Sequence, residues 1–220
     1  MSDQSQHLER LQDIRQMMQK SSRFISLSGL SGIAAGFCAL VAAWIAAGKI
    51  RAYRDSHVLN YSQGHTYNFR SGYGPLEQDL ILIAGITFVV AFCLAFFFTY
   101  LRSTRTGVPI WGLMARRVMI QVTVPMIMGG LLILRVIDLG AYMLIAPSCL
   151  IFYGLGLINA SKYTFPEIRY LGYGQLLLGA INLWVMGYGL VFWAIGFGLL
   201  HIVYGFLMWW KHERGGSPIN

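Results

Sequence analysis

Six apolar stretches, at residues 24–48, 79–101, 118–134, 139–160, 168–187 and 190–210, alternate with polar connections that are mostly short. A helix crossing the roughly 30 Å hydrocarbon layer needs about 17–25 mostly apolar residues, and each stretch meets that length. The pattern predicts an all-α polytopic membrane protein with six transmembrane helices in a single domain over 24–210. A loop at 49–78 and a polar tail at 211–220 complete it. No segment outside the spans is long enough to bury a core of its own.

The polar segment at 1–23 has its own periodicity. Leu8, Leu11, Ile14 and Met18 recur at helical intervals, with Glu9, Arg10, Asp13 and Lys20 opposite. Asp3 and Gln6 have capping-box spacing. Residues 3–22 are therefore expected to form a short N-terminal amphipathic helix. It can lie on the bilayer, pair with its copy or dock a soluble protein partner.

Within the spans the small residues are patterned. Ser28, Gly32 and Gly36 recur every four positions in the first, as do Ala35, Ala39, Ala43 and Ala47. Small residues at that spacing let helix backbones approach where lipid supplies no hydrophobic force. The face serves either a homo-oligomer, a dimer through the first span, or packing inside the bundle. In the fourth stretch Gly140, Pro147 and Gly154 recur every seven positions and suggest a bend, with Ser148 beside the proline. Arg135 and Asp138 can pair or cap the turn before it.

Composition agrees with the pattern: 56% of residues are hydrophobic and 12% charged, against about 25% charged in soluble domains. The formal charge of +8 does not imply nucleic acid. With the N-terminus inside, 12 Lys and Arg fall on the cytoplasmic side and 5 outside, the asymmetry of the positive-inside rule for both termini in the cytoplasm. Arg102, Arg105, Arg116 and Arg117 form the strongest inside anchor. Cys38, Cys93 and Cys149 lie inside spans without a CxxC pair and read as small apolar side chains. The first apolar run is too long for a cleaved signal peptide and follows a polar segment.

Candidate chemistry is sparse. The outer loop carries Tyr53, Tyr61, Tyr67, Phe69 and Tyr73 with His57 and His65, which reads as an interfacial aromatic belt and only weakly as a metal site. One polar constellation stands out. Thr164 and Glu167 have capping-box spacing around Pro166, so the fifth helix is expected to begin near Phe165. Gly172, Gln175, Gly179 and Asn182 then share one stripe, and the sixth helix repeats the device with Gly198, His201 and Gly205. Counted from the turn at Tyr188, Gln175 and His201 each lie 13 residues away, about 20 Å along a helix. They should therefore meet near mid-membrane in a close hairpin of helices five and six.

Two readings of that meeting stay open. One is a structural clasp between an imidazole and an amide. The other is a small polar ligand site, or protonation switch, lined by His201, Gln175, Asn182 and Tyr204. Haem is disfavoured because His201 is the one histidine in a span, and no cofactor is implied. Acid–base catalysis lacks a carboxylate at matching depth, so an enzyme is the weakest class.

Three stretches, SSRFISLSGLSGIAAG at 21–36, IAPSCLIFYGLGLINASKYT at 145–164 and FWAIGFGLLHIVYG at 192–205, together resemble an uncharacterised family of six-span inner-membrane proteins of Bacteroidetes bacteria. The resemblance implies a bacterial cytoplasmic-membrane location and no particular activity. A non-enzymatic membrane regulator, sensor or partner-binding protein is the leading expectation, with a small-solute transporter or channel as the alternative.

Overall fold

The first helix continues through Gly48, the one residue at the end of its apolar run that could have stopped it. Residues 49–62 contain neither glycine nor proline, and in the computed structural model, which describes residues 28–62, 74–107 and 110–212, helix α1 spans Gly29–Ser62. Its 34 residues reach about 50 Å, well beyond a hydrocarbon core. The loop expected over 49–78 is therefore corrected, because most of its first half is helix. Helix α2, Pro75–Thr106, opens on proline in its first turn, where the missing N–H costs nothing, and ends at Gly107 with φ 66°. The amphipathic helix expected over 3–22, residues 63–73 of the loop and residues 213–220 of the tail lie outside the described residues.

Helix α3, Leu113–Asp138, closes with a Schellman motif. Gly140 at φ 69° donates to Ile137 O at 2.9 Å, and Ala141 donates to Val136 O at 3.0 Å. The main chain thus makes the turn, and no ion pair joins Arg135 to Asp138. A 3-10 turn at Tyr142–Leu144 leads into α4, Ile145–Ala160. Pro147 consequently sits in the first turn of α4 and not at a mid-span bend, so it interrupts no helical bond.

Helix α5 spans Ile168–Trp184, beginning three residues later than expected. Successive turns from Phe165, Pro166 and Glu167 lead into it. Glu167 takes the N-cap without a side-chain cap bond, and its carboxylate pairs with Lys211 across the bundle. After a turn through Gly187 at φ 90°, α6 (Gly189–Trp193), a π-helical segment (Ala194–Leu200) and α7 (His201–His212) follow without interruption as one rod.

No strand occurs among the described residues. Five segments are long and apolar enough to cross a membrane: Gly29–Ser56, Pro75–Arg105, Leu113–Asp138, Tyr142–Ala160 and Gly189–Lys211. Helix α5, at 17 residues and about 25 Å, is shorter. Between the charged ends the outer surface is rich in apolar side chains. Trp44, Phe88, Trp184 and many Leu, Ile and Val side chains stand exposed, far more than a water-facing surface carries in one continuous patch.

Packing is mostly sequential, and the last rod makes the long-range contacts, lying against α4 and closing on α1. α1 packs on α2, α3 on α4 and α4 on α5, while the last rod returns to α1. That closure is glycine against glycine. A Cβ at Gly205 would lie 2.6 Å from both Gly29 O and Ile33 N, and one at Gly36 would lie 2.6 Å from Gly198 O. Gly32 and Gly36 thus face the last span of the same chain. Ala39, Ala42, Ala43 and Ala46 are buried further along α1.

Charged contacts sit at the two ends of the bundle. At one, the Arg102 guanidinium lies over Phe165 and that of Arg117 over Tyr163, at 5.6 and 5.8 Å. At the other, Lys49 Nζ meets Asp79 Oδ2 at 2.8 Å with both side chains about half exposed. Because exposed pairs contribute only about 0.2–1 kcal/mol, Lys49→Gln should shift detergent unfolding by less than about 1 kcal/mol. A larger loss would mean that this pair anchors α2 on its own.

Candidate functional site

The buried stripe of α5 comprises Ile168, Leu171, Gly172, Gln175, Gly179 and Asn182. These repeat at three and four residues, so they form one face, and glycine lets that face approach α4 closely. A Cβ at Gly154 would lie 2.8 Å from Gly172 O, and one at Gly179 would lie 2.7 Å from Ile151 Cγ1. The glycines flanking Gln175 therefore serve the α4–α5 contact, whereas Gly198 and Gly205 serve the contact with α1. Sequence spacing predicted close approach correctly but assigned it to the wrong helix pair.

Gln175 is fully buried and reaches from α5 to the last rod, where Nε2 donates to Gly196 O at 2.8 Å. His201 Nδ1 lies 2.9 Å from the same oxygen. A passage from α-helical to π-helical pairing and back perturbs the regular ladder of main-chain bonds. Here a carbonyl inside the π segment takes two side-chain donors. The i→i+5 pairing of that segment also explains how His201 comes to lie over a carbonyl five residues earlier. A Cβ at Gly196 would lie 2.6 Å from Gln175 Oε1 and would also meet Leu150 Cδ2, so a larger residue there requires the ends of both side chains to shift.

The third arm is Tyr153 of α4, whose hydroxyl lies 2.8 Å from His201 Nε2. A carbonyl oxygen only accepts, so the Nδ1 contact places a proton on Nδ1. In the neutral imidazole Nε2 is then the acceptor, and Tyr153 donates to it. The imidazole also lies among aromatic rings, 5.9 Å from Phe197 at 13° and 5.4 Å from Tyr153 at 29° between centroids and planes. Both ring nitrogens are thus used inside the protein, and three helical elements are tied at one point.

Of the four residues singled out from sequence, Gln175 and His201 converge, through Gly196 O and not on each other. Asn182 is buried elsewhere, with Nδ2 donating to Val185 O at 3.1 Å, and so satisfies a carbonyl at the end of α5. Tyr204 packs beside Phe165, Ile168 and Met208. Three buried oxygens, Gln175 Oε1, Asn182 Oδ1 and Tyr204 Oη, have no hydrogen-bond partner among the described residues. Tyr153 and Gly196 were missed. A tyrosine in the middle of an apolar run needs a hydroxyl partner, which was the available signal; the π segment has no signature in the sequence.

No group of three or more His, Cys, Asp and Glu is placed to hold a metal among the described residues, and Cys38, Cys93 and Cys149 are free thiols. His65 lies outside those residues. An apolar groove of about 290 Å³ runs between α1 and α2, lined by Phe37, Val41, Ile45, Ile83, Ile86 and their neighbours, and takes in none of the polar cluster. Comparison with protein-family models, with curated proteins and with solved structures returns no match.

Proposed function

We propose that this chain is a six-span, non-enzymatic protein of a bacterial cytoplasmic membrane, a regulator or partner-binding protein whose buried polar cluster holds the bundle together. The observation that carries this reading is the complete internal use of His201: Nδ1 on Gly196 O and Nε2 on Tyr153. A transport or catalytic site needs an open coordination position for its substrate, and this imidazole offers none. Helix α5 is counted as a span because its 17 residues reach the lower end of the usual range and its polar stripe is packed between α4 and the last rod. The small-solute transporter remains the second reading, favoured by the three buried oxygens that lack partners.

The charge asymmetry supports termini in the cytoplasm. In a cysteine-free background, Lys162→Cys should be shielded from an impermeant thiol reagent in intact cells and Lys49→Cys labelled. Labelling of Lys162→Cys alone would reverse the orientation. The partner-binding role is tested by affinity capture after mild detergent extraction, with and without residues 1–23. A partner recovered only with the full chain is expected, and no reproducible partner with either chain would count against the regulator.

A further inference from the structure

We propose that the basic end of α3 and the α4–α5 turn form a binding surface for the phosphate of an anionic phospholipid, centred on Arg117, Arg116 and Lys162. The Arg117 guanidinium lies over the ring of Tyr163, 5.8 Å from its centroid. That contact holds the cation of one helix against the turn of another, and Lys162 is the residue just before Tyr163 in that turn. A guanidinium on an aromatic face keeps its N–H edge available for an anion.

Charge at this end is unbalanced. Residues 102–117 include four arginines and no carboxylate. Arg116, Arg117 and Lys162 are exposed and make no ion pair among the described residues, while Glu167 pairs with Lys211. Like charges gathered without counter-charges repel one another, so an anion that joins them removes a standing cost.

Depth selects lipid over an anion in free solution. Trp111 and Leu113, immediately before the arginines, are 69% and 75% exposed. Exposed tryptophan at the end of an apolar helix marks the headgroup boundary, where its ring is partly apolar and partly wet. Arg116 and Arg117 lie about one and a half turns further in, directly before the apolar run that begins at Val118, and their long side chains extend back toward the headgroups to the level of lipid phosphates. The surface is more specific than a general basic excess, because it predicts which cations matter.

The test is lipid retention by the purified full chain in mild detergent, read by native mass spectrometry with phosphatidylglycerol and phosphatidylcholine at equal concentration. Selective retention of phosphatidylglycerol is expected. Removal of two cations in Arg117→Gln/Lys162→Gln should reduce that selectivity roughly 10- to 30-fold, from about 1 kcal/mol for each charge near an anionic surface. Arg51→Gln/Arg54→Gln, at the other end, should leave it unchanged. Equal retention of the two lipids by the unmodified chain overturns the proposal even if the variant fails to fold. So does unchanged selectivity in the folded variant, or competition by millimolar inorganic phosphate as effective as the lipid.

Discussion

Gly205→Leu should separate the first and last spans and remove about 3 kcal/mol or more of stability. Overpacking commonly costs about 1–3 kcal/mol when neighbouring side chains can move aside. Here the neighbours are main-chain atoms. A Cβ at Gly205 would meet Gly29 O, Ile33 N and Gly32 C at 2.6, 2.6 and 3.0 Å, and no rotamer change relieves that. The remaining leucine atoms would have to enter the same interface. Equilibrium unfolding in mixed micelles is the measurement, with Gly85→Ala as its control. Nothing lies within 4 Å of a Cβ at Gly85, so that change should be neutral or stabilise by less than about 1 kcal/mol. If Gly205→Leu unfolds like the unaltered chain, the glycine-to-glycine closure of the bundle is wrong.

His201→Leu has the second largest expected effect, a loss of about 2–3 kcal/mol. The substitution leaves the Tyr153 hydroxyl without its acceptor, and stranding a buried polar group costs about 1–3 kcal/mol. Gly196 O retains the Gln175 amide, so the damage is confined to one arm. Tyr153→Phe alone should cost less, because Nε2 loses a donor while the ring stays packed. The double variant should cost less than the sum of the two by about 0.6–1.7 kcal/mol, the coupling found for hydrogen bonds inside membranes. Strict additivity would show that the two side chains do not interact.

Much of the fold was legible because hydropathy reports burial in lipid directly. The five long apolar helices appear where the runs placed them, with ends that moved by several residues wherever polar sequence without glycine or proline continued the helix. Residues 49–62 show the difference: water-facing helix and loop have similar polarity, and only the absence of helix breakers separates them. The Arg135–Asp138 turn failed for the opposite reason, since Gly140 at positive φ formed it through the main chain and left the charges unused.

At the polar cluster, helical spacing picked out Gln175, Asn182 and His201, and all three are buried. Their partners were not readable. Each helix presents several faces to several neighbours, and a Gly-polar-Gly stripe does not say which neighbour the glycines meet. The π segment is the larger gap. It places His201 over Gly196 O by a change of helical pitch that apolar sequence does not encode locally, and it converts an expected amide–imidazole contact into two donors on one carbonyl.

The most direct measurement of the central claim, that this cluster is a closed structural clasp, is the tautomer of His201. Nitrogen-15 spectra of histidine-labelled protein in lipid nanodiscs, with His201→Gln to identify the signal, should show an imidazole protonated on Nδ1, with Nε2 accepting a hydrogen bond. Its N–H should exchange slowly with deuterated water, as befits a buried bond to Gly196 O. A proton on Nε2, or rapid exchange of the ring proton with solvent, would contradict the clasp and make His201 part of an open site.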